Sequence, residues 1–158
     1  VMKKIILVAS LLIGLSFSTQ AQNTSKNALG LRLGDNDGFG GEISYQRKLA
    51  ANNRLEFDLG WRNSNQVDAL KLVGLYQWIW NLDGNFNWYA GGGGGISFLN
   101  SENSTKNNLI LAGNLGVEYG FDIPLLLSLD IRPEIYIGDR IGTRNFGPDI
   151  ALGIRYQF

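Results

Sequence analysis

Charged residues at every second position are the part of this sequence with the clearest chemistry. Arg54, Glu56 and Asp58 alternate with apolar residues, and Asp130 and Arg132 repeat the spacing. Successive side chains of a β-strand point to opposite faces, so residues at this spacing share one face. Positive and negative side chains on one face can form ion pairs. The pattern therefore predicts a network of charges carried on strands.

The composition excludes the most common catalytic groups. The chain has no histidine and no cysteine, which removes the usual general base, a cysteine nucleophile and any serine–histidine pair. Serine or carboxylate catalysis without histidine is the alternative that the composition leaves open. We predict a protein that is not an enzyme, and we assign no catalytic residue.

Two short motifs have ligand-binding interpretations that the sequence does not favour. Residues 35–38 (DNDG), with Glu42 downstream, contain part of a calcium loop without its full pattern, and a tight turn explains them better. The glycines at 91–95 follow a strand-like segment but open no helix, so they do not predict a nucleotide site. We expect them to allow close packing against bulky interior neighbours. We predict no metal and no cofactor.

The amino-terminal residues are organised like a signal peptide. Lys3 and Lys4 precede an apolar stretch at 5–17, and a small-residue cleavage point after Ala21 follows. A membrane-anchoring helix is the alternative. The apolar stretch is shorter than the roughly 17 to 25 residues that a helical span needs, which favours the signal peptide.

The predicted domain organisation is simple, with a signal peptide at 1–21 and one β-barrel domain at 22–158. Removing Lys3 and Lys4 lowers the 14 basic residues to 12, against 14 acidic ones. The resulting net charge of −2 gives no general attraction to nucleic acid.

The mature chain contains eight segments in which apolar and polar residues alternate. They cover 29–34, 40–48, 54–62, 69–80, 86–98, 109–121, 125–137 and 149–158. Clusters of turn-forming residues separate them, with outward loops predicted around 35–39, 63–68, 99–108 and 139–147 and short inward turns near 50, 83 and 123. This spacing predicts an all-β fold, an eight-stranded antiparallel up-and-down transmembrane β-barrel.

The apolar face of these strands has to point outward, because it is too bulky for the interior. About 36 large apolar side chains share it, whereas an eight-stranded barrel has room inside for a single layer of side chains or one small ligand. The opposite face holds a balanced set of charges, as a salt-bridged lumen requires. We predict a lumen charge network of Arg32, Glu42, Glu56, Arg62, Lys71, Glu118, Asp130, Arg132, Glu134 and Arg155. The same inward face carries Lys48, Arg54, Asp58 and Asp149. A soluble barrel with its charges in water is the alternative.

Aromatic residues collect near one end of the predicted strands, where a girdle at a membrane interface lies. They are Tyr45, Trp78, Trp80, Phe86, Trp88, Tyr89, Tyr119, Phe121, Tyr156 and Phe158. Trp61, Phe98 and Tyr136 fall near the opposite end.

Two residues do not fit the pattern. Arg47 falls on the lipid face near a strand end, and Pro133 removes a ladder donor, so we expect a bulge or register change there.

The signal peptide, the eight alternating segments, the short turns and the terminal Tyr156-Gln157-Phe158 together resemble the small outer-membrane β-barrel family, of OmpA/OmpX or porin-like type. The resemblance covers about residues 27–158. It implies export to the outer membrane, contact with outer-membrane lipid, a monomer, and insertion by the barrel-assembly machinery. It also implies that Phe158 is the assembly signal.

The leading functional hypothesis is an integral outer-membrane barrel with a non-catalytic structural or surface-interaction role. Two alternatives remain open. One is a narrow porin-like channel through the lumen, and the other is a secreted lipocalin-like carrier with an apolar interior.

Overall fold

The computed structural model describes residues 25–34, 40–64, 67–102, 104–138 and 146–158. The strands are β1 (Asn27–Gly34), β2 (Gly41–Ala50), β3 (Asn53–Ser64), β4 (Val67–Asp83), β5 (Phe86–Ser101), β6 (Ser104–Gly120), β7 (Leu125–Gly138) and β8 (Phe146–Gln157). The predicted signal peptide at 1–21 and the turn at 35–38 lie outside these residues. None of the described residues forms a helix long and apolar enough to cross a membrane.

The eight strands form a closed antiparallel barrel in which every strand pairs with its sequence neighbours. Closure comes from β1 and β8, where Leu31 lies opposite Ile154. The end that holds the start of β1, the end of β8 and the turns at 51–52, 84–85 and 121–124 is called the turn end here. The opposite end is called the loop end. Gly84 has a φ of 51° in the turn between β4 and β5, a conformation that favours glycine. The predicted fold class is confirmed.

The loop end differs from the prediction, because β5 and β6 continue through residues expected to form a loop. Ser101 pairs with Ser104, and pairing runs without interruption through Asn100 with Thr105 and Ser97 with Asn108. The polar composition of this segment suggested a loop at 99–108. A β-ladder is built from backbone groups, so polar side chains do not end it once a hairpin is established. The predicted loop at 99–108 was wrong in its extent, because residues 99–101 and 104–108 belong to the two strands.

Side-chain direction follows the predicted alternation. Leu31 is 50% exposed and Leu152 39% exposed on the outer surface, whereas Arg32 is 1% and Arg155 0% exposed inside. The apolar surface is therefore outward and the charged surface inward, which overturns the soluble alternative with its charges in water.

The outer apolar band has the height of a bilayer core. On β4 it extends from Leu70 to Trp80, both of which are exposed. That interval is about 33 Å along the strand at roughly 3.3 Å per residue, or about 25 Å along the barrel axis at a tilt near 40°. Transmembrane barrels carry an apolar band of about this height.

Aromatic rings form a girdle at the turn end, with one exception to the prediction. Trp80 stacks on Trp88 with ring centroids 4.3 Å apart, and Phe86 meets Tyr119 edge to face at 4.7 Å. Tyr89 was assigned to this girdle, and that assignment was wrong. Its neighbour Trp88 lies on the outer surface, so alternation turns Tyr89 into the lumen, where it is 0% exposed.

Pro133 does not shift the register of its strand. Ala112 pairs with Glu134 and Leu115 with Ile131, so the register between β6 and β7 is the same on both sides of the proline. The expected bulge or register change was wrong. A Cβ atom at Gly113 would lie 3.3 Å from the Pro133 ring, which indicates that glycine leaves room for the proline here.

The glycine run 91–95 lies within β5 and pairs with both neighbouring strands. A Cβ atom at Gly93 would clash with the carbonyl oxygen of Gly74, and one at Gly95 would clash with that of Leu72. Close packing was expected and is found: the nearest atoms belong mainly to the β4 backbone, and a Cβ atom at Gly91 would also lie 2.9 Å from the buried Gln77 side chain.

Candidate functional site in the barrel lumen

Arg132 on β7 lies at the centre of the larger of two charge clusters inside the barrel. Its guanidinium donates to Asp58 at 2.8 Å, to Glu42 at 2.6 Å and to Glu134 at 2.7 Å. These carboxylates come from β3, β2 and β7. One side chain thus connects opposite walls of the lumen.

Arg32 and Lys71 complete this group, called the loop-side cluster here. Its members are Arg32, Glu42, Asp58, Lys71, Asp130, Arg132, Glu134 and Asp149, all of them buried. Arg32 lies 2.6 Å from Asp130 and also pairs with Asp149. Lys71 lies 3.0 Å from Glu42. The members come from every strand except β5 and β6, so the cluster crosses the whole lumen.

A second group, called the turn-side cluster, lies nearer the turn end and is held by Arg155 and Arg54. Arg155 donates to the hydroxyls of Ser44 and Ser128 at 2.9 and 2.8 Å, and to Glu56 at 3.2 Å. Arg54 pairs with Glu118 at 2.7 Å. Its guanidinium carbon lies 4.6 Å from the centre of the Tyr89 ring.

Tyr89 also contacts the loop-side cluster. Its hydroxyl lies 3.3 Å from an Asp130 oxygen. A Cβ atom at Gly116 would lie 2.5 Å from the Tyr89 ring, so glycine provides the space that the ring occupies. Tyr89 therefore packs between the two clusters, with its ring on Arg54 and its hydroxyl on Asp130.

One wall of the lumen is apolar. Val73 and Leu75 on β4 pack against Ile110 and Ala112 on β6, and all four are buried. The inward positions of β5 between them are glycines, so side chains from β4 and β6 can meet across β5. The sequence signal for this wall was the weak alternation of β4, whose inward face is itself apolar.

The structure brings together nine of the ten residues predicted for the charge network. Arg32, Glu42, Lys71, Asp130, Arg132 and Glu134 lie in the loop-side cluster, and Glu56, Glu118 and Arg155 in the turn-side cluster. Arg62 lies in β3, but its side chain is outside the part of the chain that the structure describes.

Three inward residues left out of the predicted network proved to be members of the clusters. They are Arg54, Asp58 and Asp149, which are 5%, 0% and 2% exposed. Strand parity had already placed all three on the inward face. Lys48 has the same parity but is exposed, because it lies at the open turn end.

In this arrangement the loop-side cluster spans the lumen from wall to wall. A buried ion costs several kcal/mol unless a partner and hydrogen bonds compensate it. In the described part of the chain, each buried Arg and Lys of the two clusters has at least one carboxylate partner. A lipocalin-like carrier needs an apolar interior, and the charged lumen contradicts that alternative.

Comparisons with known proteins place the chain in a fold class. No family model and no curated protein matches its sequence. The barrel domain of OprF from Pseudomonas aeruginosa is similar at a TM-score of 0.64 and 13% identity, over 85% of this chain and all of that one (100%).

Two further solved structures have the same fold. Neisserial surface protein A aligns at a TM-score of 0.58 and 14% identity, over 84% of this chain and 94% of that one. Ail, the attachment invasion locus protein of Yersinia pestis, aligns at 0.54 and 14%, over 85% and 97%. The chain thus has the fold of the small eight-stranded outer-membrane β-barrels, and the predicted resemblance is confirmed at the level of the fold.

Proposed function

We propose that this protein is an integral outer-membrane barrel with a closed lumen and a non-catalytic role in envelope structure or surface interaction. The single observation that carries the proposal is the loop-side cluster, in which buried ion pairs from six strands cross the lumen. The apolar outer band, with its girdle of aromatic rings, supports lipid as the surroundings of the barrel.

Strand closure explains how such a chain can occupy a bilayer. A closed barrel pairs its backbone N–H and C=O groups between strands, which is the condition for spanning hydrocarbon without a helix. In the proposed orientation the turn end faces the periplasm and the loop end faces outward. A cleaved signal peptide at 1–21 would deliver the chain to this location.

Phe158 is proposed as the assembly signal read by the insertion machinery. Its backbone N–H donates to the carbonyl of Asn27 at 2.9 Å, which fixes the end of the chain against β1 at the turn end. The ring itself is 50% exposed. An exposed terminal aromatic beside the seam between β1 and β8 is suited to recognition before the barrel closes.

Surface interaction would use the loop end. The tip of the β5–β6 hairpin is polar and exposed at Asn100, Ser101 and Thr105. Because the ladder holds this tip in a defined shape, it offers backbone and side-chain hydrogen-bonding groups outside the apolar band.

Location and lumen closure are tested separately. Cell fractionation followed by gel electrophoresis with and without boiling should show the protein in the outer-membrane fraction, migrating anomalously until heated. Recovery in a soluble fraction without detergent would contradict the membrane location.

A narrow channel is the second candidate, favoured by a cavity of about 870 Å³ that opens at the turn end. Purified protein in planar bilayers should give no current above background if the loop-side cluster closes the lumen. Stepwise conductance would replace the closed-lumen proposal with the channel.

A further inference from the structure

The cavity at the turn end lies outside the loop-side cluster and shares Arg54 and Glu118 with the turn-side cluster. It has a volume of about 870 Å³, within the range of small-molecule sites. Its lining includes Lys26, Lys48, Arg54, Asn52 and Gln157. Lys26 directly before β1, Lys48 on β2 and Arg54 on β3 thus place three cations along one side of a polar cavity.

The arrangement of these cations is unfavourable without a counter-charge. Lys48 lies directly opposite Arg54 in the ladder between β2 and β3. The backbone N–H of Lys48 also donates to the carbonyl of Lys26 at 2.7 Å, so these two residues are adjacent. Like charges in directly opposed positions destabilise a sheet. Among the described residues, no carboxylate lies within ion-pair distance of Lys26 or Lys48.

Arg54 adds a buried hydrogen-bond donor that is not used. Its side chain is fixed by Gln77, by Glu118 at 2.7 Å and by the ring of Tyr89. The residue is 5% exposed, and its Nη2 atom has no hydrogen-bond partner among the described residues. A buried guanidinium nitrogen without an acceptor costs free energy, so part of the positive charge of Arg54 stays uncompensated in the cavity wall.

The carboxylates that line the cavity do not neutralise its two lysines, so the side formed by β1 to β3 keeps a positive charge. Glu118 is already paired with Arg54. Asp122 lies in the turn between β6 and β7, where Asn85 is 3.5 Å away. Neither carboxylate neutralises Lys26 or Lys48.

We infer that the turn-end cavity binds a small soluble ligand through a phosphate or carboxylate group, held by Lys48 and Lys26, with the charge of Arg54 in the cavity wall attracting the same group. Side-chain amides of Asn52 and Gln157 would contact hydroxyl or amide groups of the same ligand. The site goes beyond the proposed function, and only its exposure to the periplasm rests on the proposed orientation.

Orthophosphate is the probe for the test. Isotope-labelled protein in nanodiscs of zwitterionic phosphocholine lipid is titrated with sodium phosphate against sodium chloride at constant ionic strength. We expect saturable shifts of the backbone amide signals of Lys48, Arg54 and Asn52. Shifts that grow linearly with phosphate, or that spread over the whole barrel surface, would overturn the inference.

Two charge-matched variants separate the cavity from general electrostatics. Lys48→Gln should weaken phosphate binding at least five-fold, because it removes a cavity cation. Arg47→Gln removes the same charge one residue away, on the exposed outer surface, and should change binding less than two-fold. Equal weakening by both variants would contradict the site. Heat-dependent gel mobility verifies that each variant is folded, and Lys26→Gln provides a second cavity variant.

A lipid headgroup is the other source of phosphate. Nanodiscs that contain phosphatidylglycerol, without added orthophosphate, should leave the cavity signals unchanged, because the site lies inside the barrel mouth. Shifts at Lys48 that appear with this lipid and disappear in Arg47→Gln would assign the phosphate to the bilayer surface and refute a soluble ligand.

Discussion

Replacing Arg132 by methionine removes the central cation of the loop-side cluster while keeping a long side chain. Glu42 retains Arg32 and Lys71 as partners, and Glu134 retains Lys71. Asp58 has no other ion-pair partner among the described residues and is 0% exposed. The variant therefore leaves one buried carboxylate without an ion-pair partner.

The expected loss of stability is about 3 to 5 kcal/mol, the range found when one partner of a buried ion pair is removed. Urea unfolding of the barrel in lipid vesicles measures it. With a denaturant slope of roughly 2 kcal/mol per molar, the unfolding midpoint should fall by about 1.5 to 2.5 M.

A second substitution tests whether the unpaired Asp58 carboxylate causes this loss of stability. Asp58→Asn in the Arg132→Met background removes the stranded charge and should recover more than about 1 kcal/mol relative to the sum of the single variants. Arg47→Met, on the outer surface, is the matched control and should cost less than about 1 kcal/mol. If Arg132→Met costs no more than this control, or if the double variant is simply additive, the account of the lumen as an ion-pair network is refuted.

Two further substitutions test the outer surface and the glycine run. Leu152→Arg places a charge on the lipid face and should destabilise the barrel in lipid by roughly 2 to 4 kcal/mol near mid-bilayer; equal folding yields for variant and parent would contradict the outward assignment. Gly93→Ala should cost about 1 to 3 kcal/mol because its methyl group meets the β4 backbone. Gly120→Ala, whose Cβ would have no heavy atom within 4 Å, should be close to neutral in the same unfolding assay.

Local alternation explains why so much of the barrel was predictable from the sequence. Leu152 and Arg155 differ by an odd number of positions, so they had to face opposite sides of β8. The apolar side chains are too bulky to fit inside an eight-stranded barrel, so their side of each strand had to be the outward one. The prediction failed for Tyr89. It was assigned to the girdle with Trp88 because both lie near the same end of β5, although adjacent residues of a strand face opposite sides.

At the loop end, the strand boundaries could not be predicted from the sequence for a different reason. Asn100 and Thr105 are polar residues in a segment typical of a loop, yet they pair in the ladder between β5 and β6. Strand boundaries depend on whether a partner backbone is present, and side-chain polarity does not reveal that. Pro133 belongs to the same category, since the register of β7 against β6 is kept and the space beside its ring at Gly113 depends on a residue of the neighbouring strand.

The pattern of residue types along the chain was sufficient to predict the strand count, the inward or outward direction of most side chains, and the apolar character of the outer surface. Which charges pair with one another depends on the three-dimensional arrangement of the strands. Arg132 and Glu42 are 90 positions apart in the chain. Their contact depends on the stagger and closure of eight strands, and that long-range geometry is not contained in the period-two pattern that specifies each strand alone.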